Sequence, residues 1–186
     1  MPLISLSNAF EQQQFANGYE LVDGVQMHEE QGSRFQIVNR WFKKYIDSGH
    51  FVEVRVDSPR FSAHPDAPMN CTCPHCDEEA TKPILGHTHP ASLVAIPPQE
   101  VPSRGWGEDF WVRVESREDE YLCGIVDNPL YENRLHEIAE GDRICFHTNH
   151  ILSVHGLHNM EIVERMTSED LVLFRAWLDS HRDSKS

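Results

Sequence analysis

The sequence lacks any long apolar run. The longest ones, such as Ala91–Pro98, fall far short of the roughly 20 residues that a transmembrane helix needs. Met1–Phe10 contains no basic region followed by an apolar stretch, so no secretory signal is expected. A glycine-rich phosphate loop and a Gly-x-Ser-x-Gly nucleophile motif are also missing. We therefore expect neither a membrane protein nor a member of those two enzyme classes.

Basic residues are scarce. The 186-residue chain has 16 Lys and Arg against 30 Asp and Glu, which gives a formal net charge of -14 with neutral histidines. A nucleic-acid-binding protein needs Lys and Arg to neutralise phosphates, so this balance argues against that class. Residues 107–186 carry most of the charge, with 17 acidic and 8 basic residues. The field of such a chain attracts a basic partner.

The five cysteines are an odd number. Together with the missing signal, they favour reduced thiols in the cytoplasm over a disulfide framework. The length suits one domain, or one domain with an appendage. Composition divides the chain into an N-terminal α/β segment (1–66), a connecting segment rich in Pro, Cys and His (67–106), and a β-sheet segment with a C-terminal helix (107–186).

Hydrophobic periodicity predicts an α+β fold, with a mixed or mostly antiparallel sheet, two main helices and a Pro/Cys-rich central loop segment. Helical spacing of apolar residues predicts one helix from Ser33 to just before Gly49. Short or alternating apolar runs predict strands at 19–22, 51–56, 92–96, 110–114, 121–126 and 144–147.

The C-terminal part has weaker signals. The polar residues 116–120 predict a hairpin turn, and 151–154 and 160–163 predict two edge pieces of the sheet. A closing helix is expected after Thr167 or Ser168, either of which can cap it. Its apolar stripe is predicted to consist of Leu171, Phe174 and Leu178.

The sharpest local motif is the run of residues 71–76, Cys-Thr-Cys-Pro-His-Cys. A Cys-x2-Cys turn such as Cys73 to Cys76 lets two thiolates point at one Zn²⁺ ion. Cys71 adds a nearby thiolate, and either His87 or His89 can complete a structural Cys3His zinc site. A second Cys-x2-Cys pair is missing, so a loop with reduced, exposed thiols is an equally open interpretation.

Two catalytic interpretations of these residues fit less well. Residues 73–76 resemble the active-site motif of DsbA-type thiol–disulfide oxidoreductases, but no apolar strand precedes them. His87 and His89 match a His-x-His metallo-hydrolase pattern only in part, because no Asp and His follow. A second histidine group is most simply explained as polar strand ends, with metal binding or a pH response as the alternative. Its members are His147, His150, His155 and His158.

The strand series over about 108–155 resembles a YegJ-like bacterial domain of unknown function. An aromatic and valine-rich strand comes first at Phe110–Val114. The remaining elements are a glycine strand ending in Asn128-Pro129, a Gly141-Asp142 turn, and an Ile-bearing strand at 144–146 followed by His150-Ile151. The family usually follows that last Ile with Asp-Trp, whereas Leu152-Ser153 stands here. The resemblance carries no catalytic residues.

The whole chain resembles immunity proteins that neutralise type VI secretion nuclease toxins. That resemblance implies a cytoplasmic, non-catalytic protein whose partner is a cognate basic toxin, and it leaves the oligomeric state open. The acidic residues expected to bind that partner are Glu118, Asp119, Glu120, Glu132, Glu137, Glu140 and Asp142. The alternative function is a zinc- or thiol-dependent enzyme that uses Cys71, Cys73, Cys76, His87 and His89.

Overall fold

The described residues form eight strands in two antiparallel sheets. They are β1 (Glu20–Leu21), β2 (Phe51–Asp57), β3 (Asn70–Thr72), β4 (Glu79–Thr81), β5 (Glu108–Glu118), β6 (Tyr121–Val126), β7 (Arg143–His147) and β8 (Ser153–Val154). The computed structural model describes residues 5–58, 70–72, 79–81 and 107–183. The main sheet has the order β1-β2-β5-β6-β7, with β8 also paired to β2, and β3 pairs with β4 separately. All of these pairs are antiparallel, which confirms the expected α+β class with an antiparallel sheet.

Six α-helices accompany the strands in the described part of the chain. They are α1 (Leu6–Gln12), α2 (Gly24–Gln31), α3 (Arg40–Tyr45), α4 (Asn133–His136), α5 (Asn159–Arg165) and α6 (Ser168–Asp183). Four of them have seven or more residues, so the expectation of two main helices is not confirmed. None of these described helices combines the length and the apolar character that crossing a membrane requires.

Alternating side chains give the main sheet an inner and an outer face. On β2, Val52, Val54 and Val56 are fully buried, whereas the residues between them are half-buried. The same alternation on β5 buries Phe110, Val112 and Val114. Burying each such side chain contributes roughly 1.5–3 kcal/mol, so this inner face anchors the fold. The outer face of β2 is left to more polar residues.

Gly124 and Asn128 serve the geometry of the sheet. A Cβ at Gly124 would lie 2.5 Å from the carbonyl oxygen of Arg113 on β5, so only glycine fits there. The side chain of Asn128 accepts a hydrogen bond from the Trp111 N–H at 2.7 Å. That bond continues the pairing with β5 beyond the last residue of β6. Strand pairing therefore accounts for both residues.

The predicted helix over residues 33–48 is correct only in its second half. Asn39 accepts a hydrogen bond from the Trp41 N–H at 2.7 Å and so caps α3. Residues 35–39 are extended, and the Val38 N–H donates to the carbonyl oxygen of Leu152 at 2.7 Å. The periodicity misleads here because this extended segment packs its apolar residues against the sheet. The hydrophobic periodicity of the sequence also fails to predict α1 and α2.

The N-terminal segment covers the edge of β7. An edge strand presents unpaired backbone groups, which folded proteins usually mask. The Gln13 side chain masks this one at Cys145. Its Nε2 donates to the Cys145 carbonyl oxygen at 2.9 Å, and its Oε1 accepts from the Cys145 N–H at 2.8 Å.

The C-terminal part differs from prediction in two places. Residues 160–163 lie in α5, not in an edge strand, and Ile162 is buried there. Thr167 caps α6 as expected, because its Oγ1 accepts a hydrogen bond from the Asp170 N–H at 3.2 Å. In the predicted stripe only Phe174 packs inward, while Leu171 and Leu178 are each 37% exposed.

Cys123 and Cys145 lie directly opposite each other on β6 and β7 and form a disulfide. Their Cα atoms are 4.1 Å apart, which is typical of a non-hydrogen-bonded pair in an antiparallel sheet. The expectation of reduced thiols is therefore wrong for this pair. Only the strand register brings the two residues together, since 22 positions separate them in the sequence.

Candidate functional site

The seven carboxylates that were predicted to bind a partner lie at the two ends of β6. Residues 118–120 end β5 and form its turn into β6, and we call them the turn surface. The others belong to residues 127–142, the loop surface, which connects β6 to β7. At about 3.3 Å per residue, the length of β6 separates the two surfaces by roughly 17 Å. The structure therefore places the predicted residues in two groups.

The turn surface uses its carboxylates within the fold. Glu118 Oε2 accepts a hydrogen bond from the Leu6 N–H at the start of α1, at 2.6 Å. Glu120 Oε2 accepts a hydrogen bond from the Thr148 hydroxyl, also at 2.6 Å. Asp119 has a positive φ of 53° in the tight turn between them. The turn is also shorter than predicted, because β5 continues through residue 118.

The loop surface presents most of its acidic side chains to solvent, although Glu132 is half-buried. Glu137, Glu140 and Asp142 are exposed, and Tyr131 is 95% exposed. Asp142 also accepts a hydrogen bond from the Ala139 N–H at 2.8 Å, which closes the turn before β7. Residues 127–142 contain five acidic residues and one basic residue, Arg134. An exposed aromatic among carboxylates is therefore the main feature of this surface.

Glu108 fixes the backbone of the loop surface. Its Oε1 accepts a hydrogen bond from the Tyr131 N–H at 2.6 Å, and its Oε2 accepts one from the Glu132 N–H at 2.9 Å. His136 Nε2 lies 3.2 Å from the same Oε2. Sequence reasoning did not select Glu108, because an acidic residue at the start of a strand carries no signal of a distant loop.

The hydrogen bonds of His136 define its tautomer. Its Nδ1 accepts a hydrogen bond from the Ile138 N–H at 3.0 Å, so its Nε2 carries the proton and donates to Glu108. The ring is buried, and burial lowers the pKa of His136 even though Glu108 opposes the shift. A neutral, doubly hydrogen-bonded histidine therefore stiffens this end of the sheet.

A groove of about 560 Å³ runs along the outer face of β2, between the extended segment 35–39 and α6. Its volume lies within the ~300–1,000 Å³ range of ligand sites. Aromatic side chains form much of its walls: Phe42, Phe174 and Trp177. Charged side chains line its floor: Glu53, Arg55 and Asp109. Sequence reasoning missed this groove because it depends on how α6 packs.

Two polar groups of the groove have no hydrogen-bond partner within the described residues. Glu53 is half-buried and forms no ion pair there, since the Arg55 guanidinium instead contacts Asp109 at 2.8 Å. Burial raises the pKa of Glu53, and the nearby Asp109 adds to the shift. The Asn39 Nδ2 is buried and is the second such group. Of the two, only the half-buried Glu53 retains accessible surface, so a cationic ligand that paired with it would be stabilised.

The predicted zinc ligands lie almost entirely outside the described residues. Cys71 is in β3, where only the backbone is described, and the other four are not described: Cys73, Cys76, His87 and His89. The antiparallel pairing of β3 with β4 aligns Cys71 with Ala80. The zinc site therefore stays a prediction, as does the predicted strand at 92–96.

A separate cluster joins His50, His158 and Glu161, whose ligand atoms all lie within 4.8 Å of one another. Such a set is able to hold a metal ion, but the hydrogen bond of His50 opposes it. The His50 Nδ1 accepts from the Asp47 N–H at 3.0 Å, so its Nε2 carries the proton and faces Glu161 at 3.4 Å. A metal ligand needs an unprotonated nitrogen. The cluster is therefore best explained as a hydrogen-bonded contact.

The four histidines of the second group are not equivalent. His150 and His158 are buried, His147 is half-buried, and His155 is exposed. Their Nδ1 atoms mostly serve the local backbone, as in His147, which accepts from the Asn149 N–H at 3.1 Å. The structure thus favours the simple interpretation of polar residues near strand ends, with His150 and His158 as buried exceptions.

Comparison with known proteins finds no match. No protein-family model matches the chain, and neither a curated protein nor a solved structure does.

Proposed function

We propose that this protein binds a basic polypeptide through the loop surface. More specifically, we propose an immunity protein that neutralises a type VI secretion nuclease toxin. One observation carries the proposal: a tyrosine that is 95% exposed stands in a loop of five acidic residues and one basic residue. Because Glu108 holds the backbone of that tyrosine, the side chain is presented with little loss of entropy on binding.

The use of the basic residues supports this proposal. Several cations are paired with carboxylates away from the loop surface. Lys44 contacts Asp170 at 2.6 Å, and Arg165 contacts Asp47 at 3.0 Å. Each pair is neutral as a whole, so the other ionisable residues carry the formal net charge of -14.

The physical match with a nuclease is direct. A nuclease needs a basic face to bind phosphates, and an acidic protein is steered to that face at a high rate. Charged residues at the rim then set the association rate, whereas a central aromatic residue supplies much of the affinity. Tyr131 has the residue type and the exposure that such a centre requires.

The proposal predicts that a basic nuclease domain is encoded beside this protein's gene, and the test uses that domain in purified form. Its affinity for the full chain is measured by calorimetry at two salt concentrations. We expect Tyr131→Ala to weaken binding by about thirtyfold, the cost of one interfacial hot spot. We expect Glu137→Gln combined with Glu140→Gln to weaken it by about tenfold at low salt and by less at high salt.

The matched control removes two charges near the turn surface, with Glu115→Gln and Asp119→Asn. It should change the affinity by about twofold or less, because Asp119 lies at the other end of β6 and Glu115 lies on β5 opposite the middle of β6. Equal losses from both double variants would show that only net charge matters and would refute the assignment to the loop surface. If the nuclease does not bind the unaltered protein, the proposed function is wrong.

A further inference from the structure

The groove on the outer face of β2 combines aromatic walls with an unpaired carboxylate. Phe42, Phe174 and Trp177 line it, and Glu53 lies on its floor without an ion pair among the described residues. Keeping a half-buried carboxylate without a counter-charge costs free energy. A cation that enters between the aromatic rings would recover that cost and would also interact with their faces.

We propose that this groove binds an arginine side chain from an extended segment of a basic polypeptide. The proposal rests on the proposed function, because it takes the partner to be basic. Arginine fits better than lysine, since its planar guanidinium stacks on aromatic rings and pairs with a carboxylate through two hydrogen bonds.

The charge balance of the groove favours a cationic occupant. Its floor contains two carboxylates, Glu53 and Asp109, and one guanidinium, Arg55, which is already paired with Asp109 at 2.8 Å. The net charge of these three groups is therefore negative. An anionic ligand would meet Glu53 directly, and a neutral apolar ligand would leave its carboxylate unpaired in a more buried site.

The groove and the loop surface lie on opposite faces of β5. Asp109 lines the groove, while the preceding Glu108 binds the Tyr131 N–H in the loop. Because successive side chains on a strand point to opposite faces, the two sites are separate surfaces. Binding of an arginine in the groove is therefore measured separately from contact with Tyr131.

The test titrates the full-length protein with the capped peptide Ac-Leu-Arg-Leu-NH2 and follows amide and indole signals by NMR. The indole N–H signal of Trp177 and the amide signal of Ser153 report on the groove. We expect both to shift with the arginine peptide. The matched peptide has citrulline in place of arginine, which keeps the shape but removes the charge. We expect it to bind at least about fivefold more weakly.

Two variants test whether Glu53 is the carboxylate that pairs with the arginine. Glu53→Gln should weaken the arginine peptide by about fivefold or more, whereas Glu164→Gln, an exposed carboxylate on α5, should leave it unchanged within about twofold. Equal binding of the citrulline peptide, or equal effects of the two variants, would overturn the proposal and indicate an apolar occupant. Absence of shifts at Trp177 and Ser153 would also overturn it.

The two proposals fail in distinguishable ways. If the nuclease still binds and depends on Tyr131 while the peptide does not bind the groove, only the arginine site is wrong. If the peptide binds the groove and depends on Glu53 while no basic nuclease is captured, the arginine site stands and the proposed function is wrong.

Discussion

The two ends of β6 use charged residues for opposite purposes. At the turn surface, charges hold the chain together, and at the loop surface they face solvent. Arg117, beside the turn, donates from Nη1 to the carbonyl oxygens of Lys43 and Ile46, both at 2.8 Å. Its Nε donates to the carbonyl oxygen of Asp119, also at 2.8 Å. At the loop end, Glu137 and Glu140 extend into solvent instead.

This contrast shows why net charge alone does not locate an interface. Both ends are acidic in sequence, and both were equal candidates for binding a partner. At the turn surface, Glu118 is occupied by a hydrogen bond to a backbone group. At the loop surface, Tyr131 and its acidic neighbours Glu137 and Glu140 are exposed. A charge that already stabilises the fold is costly to redirect toward a partner.

The largest expected effect at the turn end comes from Arg117→Met. The guanidinium satisfies carbonyl groups at the C-terminal end of α3, where the Lys43 carbonyl otherwise accepts only a long hydrogen bond of 3.4 Å from the Ile46 N–H. Hydrogen bonds to a charged group contribute about 1.5–3 kcal/mol each, so we expect the free energy of unfolding to fall by about 4 kcal/mol. Urea denaturation monitored by circular dichroism measures this change.

The control for that prediction lies on the same strand. Arg113 is exposed, and its nearest carboxylate, Glu115, is 3.9 Å away, so Arg113→Met should cost about 0.5 kcal/mol or less. If Arg117→Met is as mild as Arg113→Met, the charges at the turn end do not hold the fold together and the contrast is lost.

Replacing Lys43 should have the opposite effect on the free energy of unfolding, because Lys43 is a buried charge that lacks a hydrogen-bond partner among the described residues. It is 8% exposed, and its Nζ has no hydrogen-bond partner in the part of the chain that the structure describes. Burial lowers the pKa of Lys43 to about 8, although Asp23 and Glu120 oppose the shift. Keeping it charged at neutral pH therefore costs about 3 kcal/mol, and we expect Lys43→Met to stabilise the protein by a similar amount.

The pH dependence separates this explanation from improved packing. The folded protein binds the Lys43 proton less tightly than the unfolded chain, so the cost is complete below about pH 8. It disappears as the pH rises toward the unfolded value of 10.5. The advantage of Lys43→Met in urea denaturation should thus shrink between pH 8 and 10.5. A constant advantage would point to packing, and a destabilised variant would contradict the prediction.

The fold was predictable where side chains alternate on strands. β2, β5, β6 and β7 were expected at nearly their observed places, because a half-buried strand imposes its period on the sequence. Residues 35–39 and 160–163 were misassigned, since short apolar runs suit helix, strand and extended packing alike. Their outcome depends on tertiary neighbours such as Leu152, which accepts the hydrogen bond of Val38.

The candidate sites were less accessible to prediction. Sequence reasoning found the acidic residues but could not tell which were already bonded, because Glu118 and Glu120 find their partners far along the chain. The groove escaped notice for the same reason: Glu53 and Trp177 are distant in sequence. The disulfide between Cys123 and Cys145 likewise follows from strand register alone. Local hydrophobic periodicity carries no information about which residues distant in the sequence will contact each other.

The smallest effect at neutral pH belongs to His150, which is buried near the turn end. Its Nδ1 accepts a hydrogen bond from the His147 N–H at 3.0 Å, and burial lowers the pKa of His150 to about 4. The folded state therefore favours the neutral ring, and its contribution is complete above the unfolded value of 6.5. As the pH falls from 6.5 to about 4, the wild type should lose about 3 kcal/mol from this group.

Comparison of variants isolates that contribution from the other acid-sensitive groups. His150→Asn retains an acceptor near the position of Nδ1 but does not titrate, so its free energy of unfolding should fall less steeply below pH 6.5 than that of the wild type. The exposed His155 provides the control, and His155→Asn should follow the wild-type curve. If His150→Asn and the wild type lose stability in parallel, the ring is not held neutral by burial. The turn end would then contain one charge-sensitive group fewer, and its difference from the loop end would rest on Arg117 and Lys43 alone.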